Sequence, residues 1–412
     1  MLIGFSFENF MSFYEENVFT MSASSDTTFK ELNTIETTYG ELIKSAFIFG
    51  ANGSGKTNFI KALNWMMNFV LGATNIQSGM ISQIPCFGFN TIAKKKPTTF
   101  EIQFIFNDVF YEYGFEILNG EIDKEYLRRK KNKRLTSVFE RKSPDFNDIS
   151  FTGTIMDNVK DLAKNTRRDN LFLYWANAGN NEVAINVYQW FANIQMFEMN
   201  DAKGMLTHTI TYLEQTVDGK EKILNLLNKA DINILGFDVE TTQLPAMKGV
   251  HMKTQRKLYG EDWEEVGSLS AHIDFESSGT KKMFEVAGPI IDALEKGKVI
   301  FIDEIDSRLH PLLVRFLVML FNSISNNPQN AQLICSTHDV LLLDEDIRRD
   351  QIYFTEKNEY GVSELYALTD FKGIRKNCKL LKQYLVGTFG ATPNIRQHLI
   401  ATSKQEGFDG SE

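Results

Sequence analysis

Apolar and polar positions alternate over residues 2–21, in LIGFSFENF and then YEENVFTMSA, the period-two pattern of a hairpin with one buried face. An uninterrupted apolar run at 46–49 predicts a short strand buried on both faces, and 56–71 predicts a helix directly after a glycine-rich turn. Alternation returns over 98–118 and reverses at Asn107 and Asp108, so an antiparallel meander is expected there. Residues 121–141 continue it as a hairpin with a basic tip. From 155 to 230 the alternation is lost and helices are expected, for example over NEVAINVYQWFANIQMF and GKEKILNLLNKA. Strand patterns recur at 234–240 and 271–275, followed by a helix near 280–296. KVIFID, AQLICST and QIYFTE then read as strands, with a helix over 311–324, giving an α/β tail. There is no internal repeat, low-complexity tract or long heptad run, and the last turn, from about Gln405, is expected to fray.

Composition narrows the function classes. The 412 residues suffice for one large or two ordinary domains, and 43% apolar content supports a full core. A net charge of −9 argues against bulk binding of nucleic acid through phosphate neutralisation, so any such contact would be local. Cys86, Cys335 and Cys378 have no metal-ligand spacing and cannot all pair, which points to a reducing compartment. The first residues lack the basic and apolar regions of a signal peptide, and no apolar run reaches the ~18 residues of a membrane span. A cytoplasmic protein with no membrane contact is the expectation.

Two short stretches carry chemistry. Gly50-Ala51-Asn52-Gly53-Ser54-Gly55-Lys56-Thr57 fits the phosphate-loop pattern, with a strand before it and a helix after it. Asn52, Gly53, Ser54 and Gly55 would turn successive backbone N–H groups toward phosphate oxygens. Lys56 would charge-pair the β- and γ-phosphates, and the Thr57 hydroxyl would ligate Mg²⁺. VIFIDE is an apolar strand delivering Asp303 and Glu304 at its end. Asp303 can order the metal through water, and Glu304 can act as base for the attacking water. STHD, after a further apolar strand, brings His338 to a third strand end.

The phosphate loop, ESSGTKK at 276–282, IFIDEID and STHD, in that order, resemble the ABC-type ATPase heads of the SMC and DNA-repair kind. They are most similar to the ABC-like AAA ATPases of bacterial phage-defence and abortive-infection systems, which share the F.I.NF.SF opening and the YLVGTFGATP-like ending at 384–393. Ser277 and Gly279 match the serine and second glycine of the ABC signature, while Glu276 and Ser278 replace its leucine and first glycine.

The resemblance implies ATP and Mg²⁺ as cofactors and a homodimer whose composite sites pair one chain's phosphate loop with the other's Ser277 and Gly279. His338 would reach the γ-phosphate. The expected fold is an α/β ABC-type head: 1–75 and 234–375 form the head, 76–150 an antiparallel β lobe, 151–233 a helical insertion and 376–412 a tail. No glutamine matches the family's Q-loop, for which Gln83 and Gln103 are the candidates.

The implied function is an ATP-hydrolysing switch in antiviral defence that controls a partner effector, a nuclease or toxin on a separate chain. A self-sufficient DNA-maintenance ATPase is the alternative, weakened by the lack of a long coiled coil. A transporter ATPase fits less well, because Thr57 and Ser277 lie so far apart in the chain. The segment 128–134, six basic residues in seven, is either a solvated turn or a docking patch for nucleic acid or an acidic partner.

Overall fold

The structure is a computed structural model that describes residues 1–131, 134–244, 247–374 and 378–393. Its central sheet has six strands in the order Gln195–Glu198, Val299–Asp303, Gln332–Ser336, Ser45–Phe49, Ile352–Lys357, Ser363–Ala367. The first five are mutually parallel and the last is antiparallel. Every residue of Ser45–Phe49, Val299–Asp303 and Gln332–Ser336 is buried. Phe301 and Ile334 join the core around the helix Lys56–Leu71, whereas Ile300, Ile302, Leu333 and Cys335 join a second core with the helices Ser278–Lys296 and Pro311–Asn322. Burial on both faces is why these strands read as unbroken apolar runs.

The alternating segments form a second, antiparallel sheet of seven strands. Its meander pairs Phe100 with Phe115, Ile102 with Tyr113 and Phe104 with Tyr111, all buried toward the helix Lys56–Leu71. The hairpin at 2–20 joins this sheet, with Phe5, Phe7 and Phe19 around Phe59 of the same helix. The basic hairpin, Glu121–Lys131 with Arg134–Arg141, pairs up to Lys131 and Arg134. Lys133 at its tip lies outside the described residues, as does the tail from Gln405.

Three expectations need correction. The helix read over 181–197 covers only Glu182–Ala192, and Gln195–Glu198 is a strand at the edge of the central sheet, parallel to Val299–Asp303. Four residues are too few to show a period, and pairing with a neighbour decides their conformation. The segment 151–233, expected to be a helical insertion, therefore also supplies an edge strand of the central sheet. The strand expected at 271–275 is instead the end of Glu265–His272 followed by a turn at Ile273–Phe275. With Gly236–Leu244 and Met247–Tyr259 it forms a three-stranded antiparallel arm. Residues 265–270 are all exposed, so no apolar alternation marks this strand.

Gln332 fastens the two sheets. It is fully buried, accepts from Leu2 N at 2.6 Å and donates to Leu2 O at 3.0 Å and Ile43 O at 3.3 Å. Gln332→Ala leaves these backbone groups without partners and is expected to destabilise the fold by about 2–4 kcal/mol in urea unfolding. A loss below about 1 kcal/mol would show that the Gln332 contacts do not fasten the two sheets.

Candidate nucleotide site

The strand register assembles the site. Glu198 lies beside Asp303, Ile302 beside Cys335, and Ser336 beside Ile48. The loops after these strands therefore emerge at one carboxyl edge, where ligands bind in open α/β sheets. Asn52, Gly53, Gly55, Lys56, Thr57, Glu304 and His338 share the lining of a cavity of about 310 Å³. Ser54, Thr337 and His338 line a space of about 1090 Å³ together with Tyr384–Val386 and Thr392–Pro393.

Within the phosphate loop, Gly50 allows close approach: a Cβ there would lie 2.5 Å from Thr355 O. Gly55 precedes the helix at φ 127°, a conformation closed to other residues. Ser54 Oγ is 2.6 Å from Thr355 Oγ1, and Asn58 donates to Ser12 Oγ at 2.8 Å, which ties the N-terminal hairpin to the loop helix. Lys56 Nζ donates to the loop's own carbonyls, Gly50 O at 2.8 Å and Ala51 O at 3.2 Å. Burial pushes its pKa down, against the pull of Asp303, Glu304 and Asp306.

Asp303 is buried and accepts a hydrogen bond from Ser336 Oγ, which in turn accepts from Glu304 N at 2.8 Å. Glu304 holds a left-handed backbone, φ 54°, unusual outside glycine and asparagine. That turn separates its direction from that of Asp303, so that only Glu304 of the two lines the cavity. Asp306 Oδ1 accepts from Thr337 Oγ1 at 2.7 Å and from His338 N at 3.0 Å. His338 stands at the rim. Partial burial, then the Lys56 charge, hold its pKa below the ordinary imidazole value, against three nearby carboxylates.

One residue of the site escaped the sequence reading. Asn200, just beyond the edge strand, donates to Glu304 Oε2 at 2.7 Å and accepts from Ser307 Oγ at 3.0 Å. The adjacent Met199 N donates to Asp303 O at 3.0 Å. Its signal, a polar residue after the short run IQMF, becomes legible only once that run is known to be a strand. Neither glutamine considered for the Q-loop lines the cavity. Gln103 bonds Glu101 and Glu112 within the antiparallel sheet, and Gln83 follows the helix Thr74–Ile81.

Ser277 and Gly279 do not line the cavity either. Ser277 caps the helix Ser278–Lys296, accepting from Thr280 N at 3.1 Å, and its side chain is exposed. A Cβ on Gly279 would meet nothing nearer than Arg308 O at 3.7 Å, so nothing inside the chain requires glycine there.

Of the two candidate metal ligands, Thr57 lines the cavity, whereas Asp303 is buried against Ser336 and would act on a metal through water. Among the described residues no group of three or more His, Cys, Asp or Glu could hold a metal alone. That donor set fits Mg²⁺ carried with nucleotide phosphates, which complete its oxygen shell.

The basic hairpin is partly committed elsewhere. Arg128 pairs with Glu112 and lies 4.5 Å from the Tyr126 ring centroid, and Lys130 lies 5.6 Å from that of Tyr39. Lys131 and Arg134 are exposed. No described helix is long and apolar enough to cross a membrane, and the three cysteines are free.

The profile of the family described as "AAA domain, putative AbiEii toxin, Type IV TA system" matches residues 45–344. No curated protein matches the chain. Among solved structures, it is similar to that titled "Crystal structure of the SmcHead bound to the C-winged helix domain of ScpA", at 14% identity and a TM-score of 0.42, covering 89% of this chain and 97% of that one. The family match spans the phosphate loop, Ser277, the acidic loop and His338, and the chain belongs to this family of AAA domains and is a P-loop ATPase.

Proposed function

We propose that the chain is the ATP-hydrolysing, homodimeric switch of a bacterial antiviral defence system and controls a separate effector protein. The observation that carries the reading is the division of the site. The phosphate loop, Glu304 and His338 share one cavity, while Ser277, exposed at the start of its helix, and the half-exposed Gly279 lie outside it, with no contact inside the chain that requires glycine at 279. An exposed helix N-terminus bearing a free glycine suits the γ-phosphate of a nucleotide held by a second copy. The family description, with its toxin and toxin–antitoxin terms, supports a role in defence.

In this reading Asn52, Gly53, Ser54 and Gly55 cradle the phosphates and Lys56 neutralises them. Thr57 directly, and Asp303 through water, would hold Mg²⁺, which would supply charge stabilisation at the β- and γ-phosphates. Glu304 takes a proton from the attacking water, and Asn200 holds its carboxylate in place. His338, kept neutral, donates to or accepts from the γ-phosphate region. ATP bound between two heads stabilises the closed dimer by mass action, and that change in population is the signal the effector reads.

Lys56→Ala is expected to abolish ATP binding. Glu304→Gln should keep binding and lower Mg²⁺-dependent hydrolysis by on the order of 10²-fold, because the base is lost and the phosphate cradle is retained. Equal hydrolysis rates in wild type and Glu304→Gln would remove Glu304 from the chemistry. An equimolar mixture of Lys56→Ala and Ser277→Arg chains should recover activity through hybrid dimers with one intact composite site. Hybrids that form yet stay inactive would count against a shared site.

The electrostatics give an independent check. Removing the Lys56 charge favours the imidazolium, so Lys56→Met should raise the His338 pKa, read by NMR titration of the nucleotide-free protein. An unchanged or lower value would show that Lys56 does not act on His338.

A further inference from the structure

The three-stranded arm, Gly236–His272, enters the signature helix almost directly. Only the turn Ile273–Phe275 and Glu276 separate it from Ser277. Glu276, which stands where the usual signature has leucine, is the residue that joins the two. Its side chain is only 9% exposed although Ser277 beside it is open to solvent. It accepts from Arg256 Nε at 2.9 Å and Nη2 at 2.6 Å, a two-point guanidinium–carboxylate contact, and from Thr254 Oγ1 at 2.7 Å. The remaining arm of the guanidinium, Nη1, donates to Asn233 O at 3.1 Å, in the segment leading into the arm. Arg256 thus clasps the entry of the arm to its exit.

We propose that Arg256 is a positioning residue for the composite site: by clamping Glu276 it fixes the first turn of the signature helix and so the direction of the Ser277 hydroxyl. The inference rests on the reading of Ser277 as the group offered to a second copy's nucleotide. Leucine at 276 would hold the turn by packing in any orientation that buries it. A carboxylate held at two points has one orientation, so the arm, through Arg256, dictates where the serine stands. The far side of the same helix is tied as well: buried Lys282 donates to Met199 O at 2.7 Å, next to the Asn200 that holds Glu304. The signature turn is therefore fastened on one side to the arm and on the other to the acidic loop. Arg256 also holds the Glu276 carboxyl below its ordinary pKa, so the clamp is complete above that range and is lost as pH falls through the lowered value.

The test places Arg256→Ala in one chain of the hybrid dimer at a time. In a hybrid of Lys56→Ala and Ser277→Arg chains, the single working site uses the signature of the Lys56→Ala chain. Arg256→Ala added to that chain should lower hydrolysis by on the order of tenfold, with ATP affinity of the other chain's loop unchanged. Arg256→Lys there should lose less, since it keeps the charge but not the two-point contact. Added to the Ser277→Arg chain, whose signature is already disabled, Arg256→Ala should cost nothing further. An equal loss in both placements, or none in either, overturns the proposal, the first by showing general damage to the fold.

If the parent hybrid is itself inactive, the shared-site reading has failed, and Arg256 is then judged in the homodimer against Ser277→Ala. No additional loss from Arg256→Ala on that background supports action through Ser277. The full loss on that background, or a Ser277→Ala chain as active as wild type, overturns it.

Discussion

Covering the three inner strands of the parallel sheet on both faces keeps charged side chains out of their interiors and leaves Asp303 at a strand end, and the rest of the site follows from this. A carboxylate in the middle of Val299–Asp303 would face one of two apolar cores and would have to be paired or neutralised. At the end of the strand it meets the edge where three other loops emerge. Parallel register then does what no single loop could, since Ser336, Thr337 and the backbone of His338 come within hydrogen-bond reach of Asp303 and Asp306.

The loops at this edge are held by one another more than by the strands that deliver them. Ser336 Oγ bridges Asp303 and Glu304 N, Asn200 bridges Glu304 and Ser307, and Lys56 turns back on the phosphate loop's own carbonyls. Such a network fixes Glu304 in a left-handed backbone that an isolated loop would leave. It also makes the site sensitive to its neighbours. Asn200 follows an edge strand, which has a partner on one side only, and Met199 O receives Lys282 from the signature helix. A shift of that helix has a short route to the acidic loop.

The arm shows how an exposed element can act on a buried one. Its last strand presents Val266 and Leu269 to solvent, and Trp263 stands at the turn before it. At its base, Thr254 is buried and Arg256 is half-covered against Glu276. The arm is held at its root, by apolar packing of Phe237 and Met252 in the second core, with Phe237 against Phe284, and by the charge-assisted contacts of Arg256.

Sequence alone determined the elements that bury a regular stripe or lie between decisive turns. The antiparallel meander, the helix 56–71 and the three apolar strands of the central sheet each carry their period in their residues. The phosphate loop and the pair Asp303 and Glu304 were legible for the same reason, because glycine torsions and a strand's length fix where those groups stand. Tertiary structure decided what depends on a neighbour. Gln195–Glu198 is a strand because Val299–Asp303 lies beside it, and only that pairing brings Asn200 to Glu304. The arm's last strand belongs to a sheet although residues 265–270 are exposed, since ladder hydrogen bonds hold it where hydrophobic alternation is missing. Likewise Glu276 reads in the sequence only as a replacement of the signature's leucine. It acquires a physical reason only when the fold sets Arg256, twenty residues earlier in the chain, against its carboxylate.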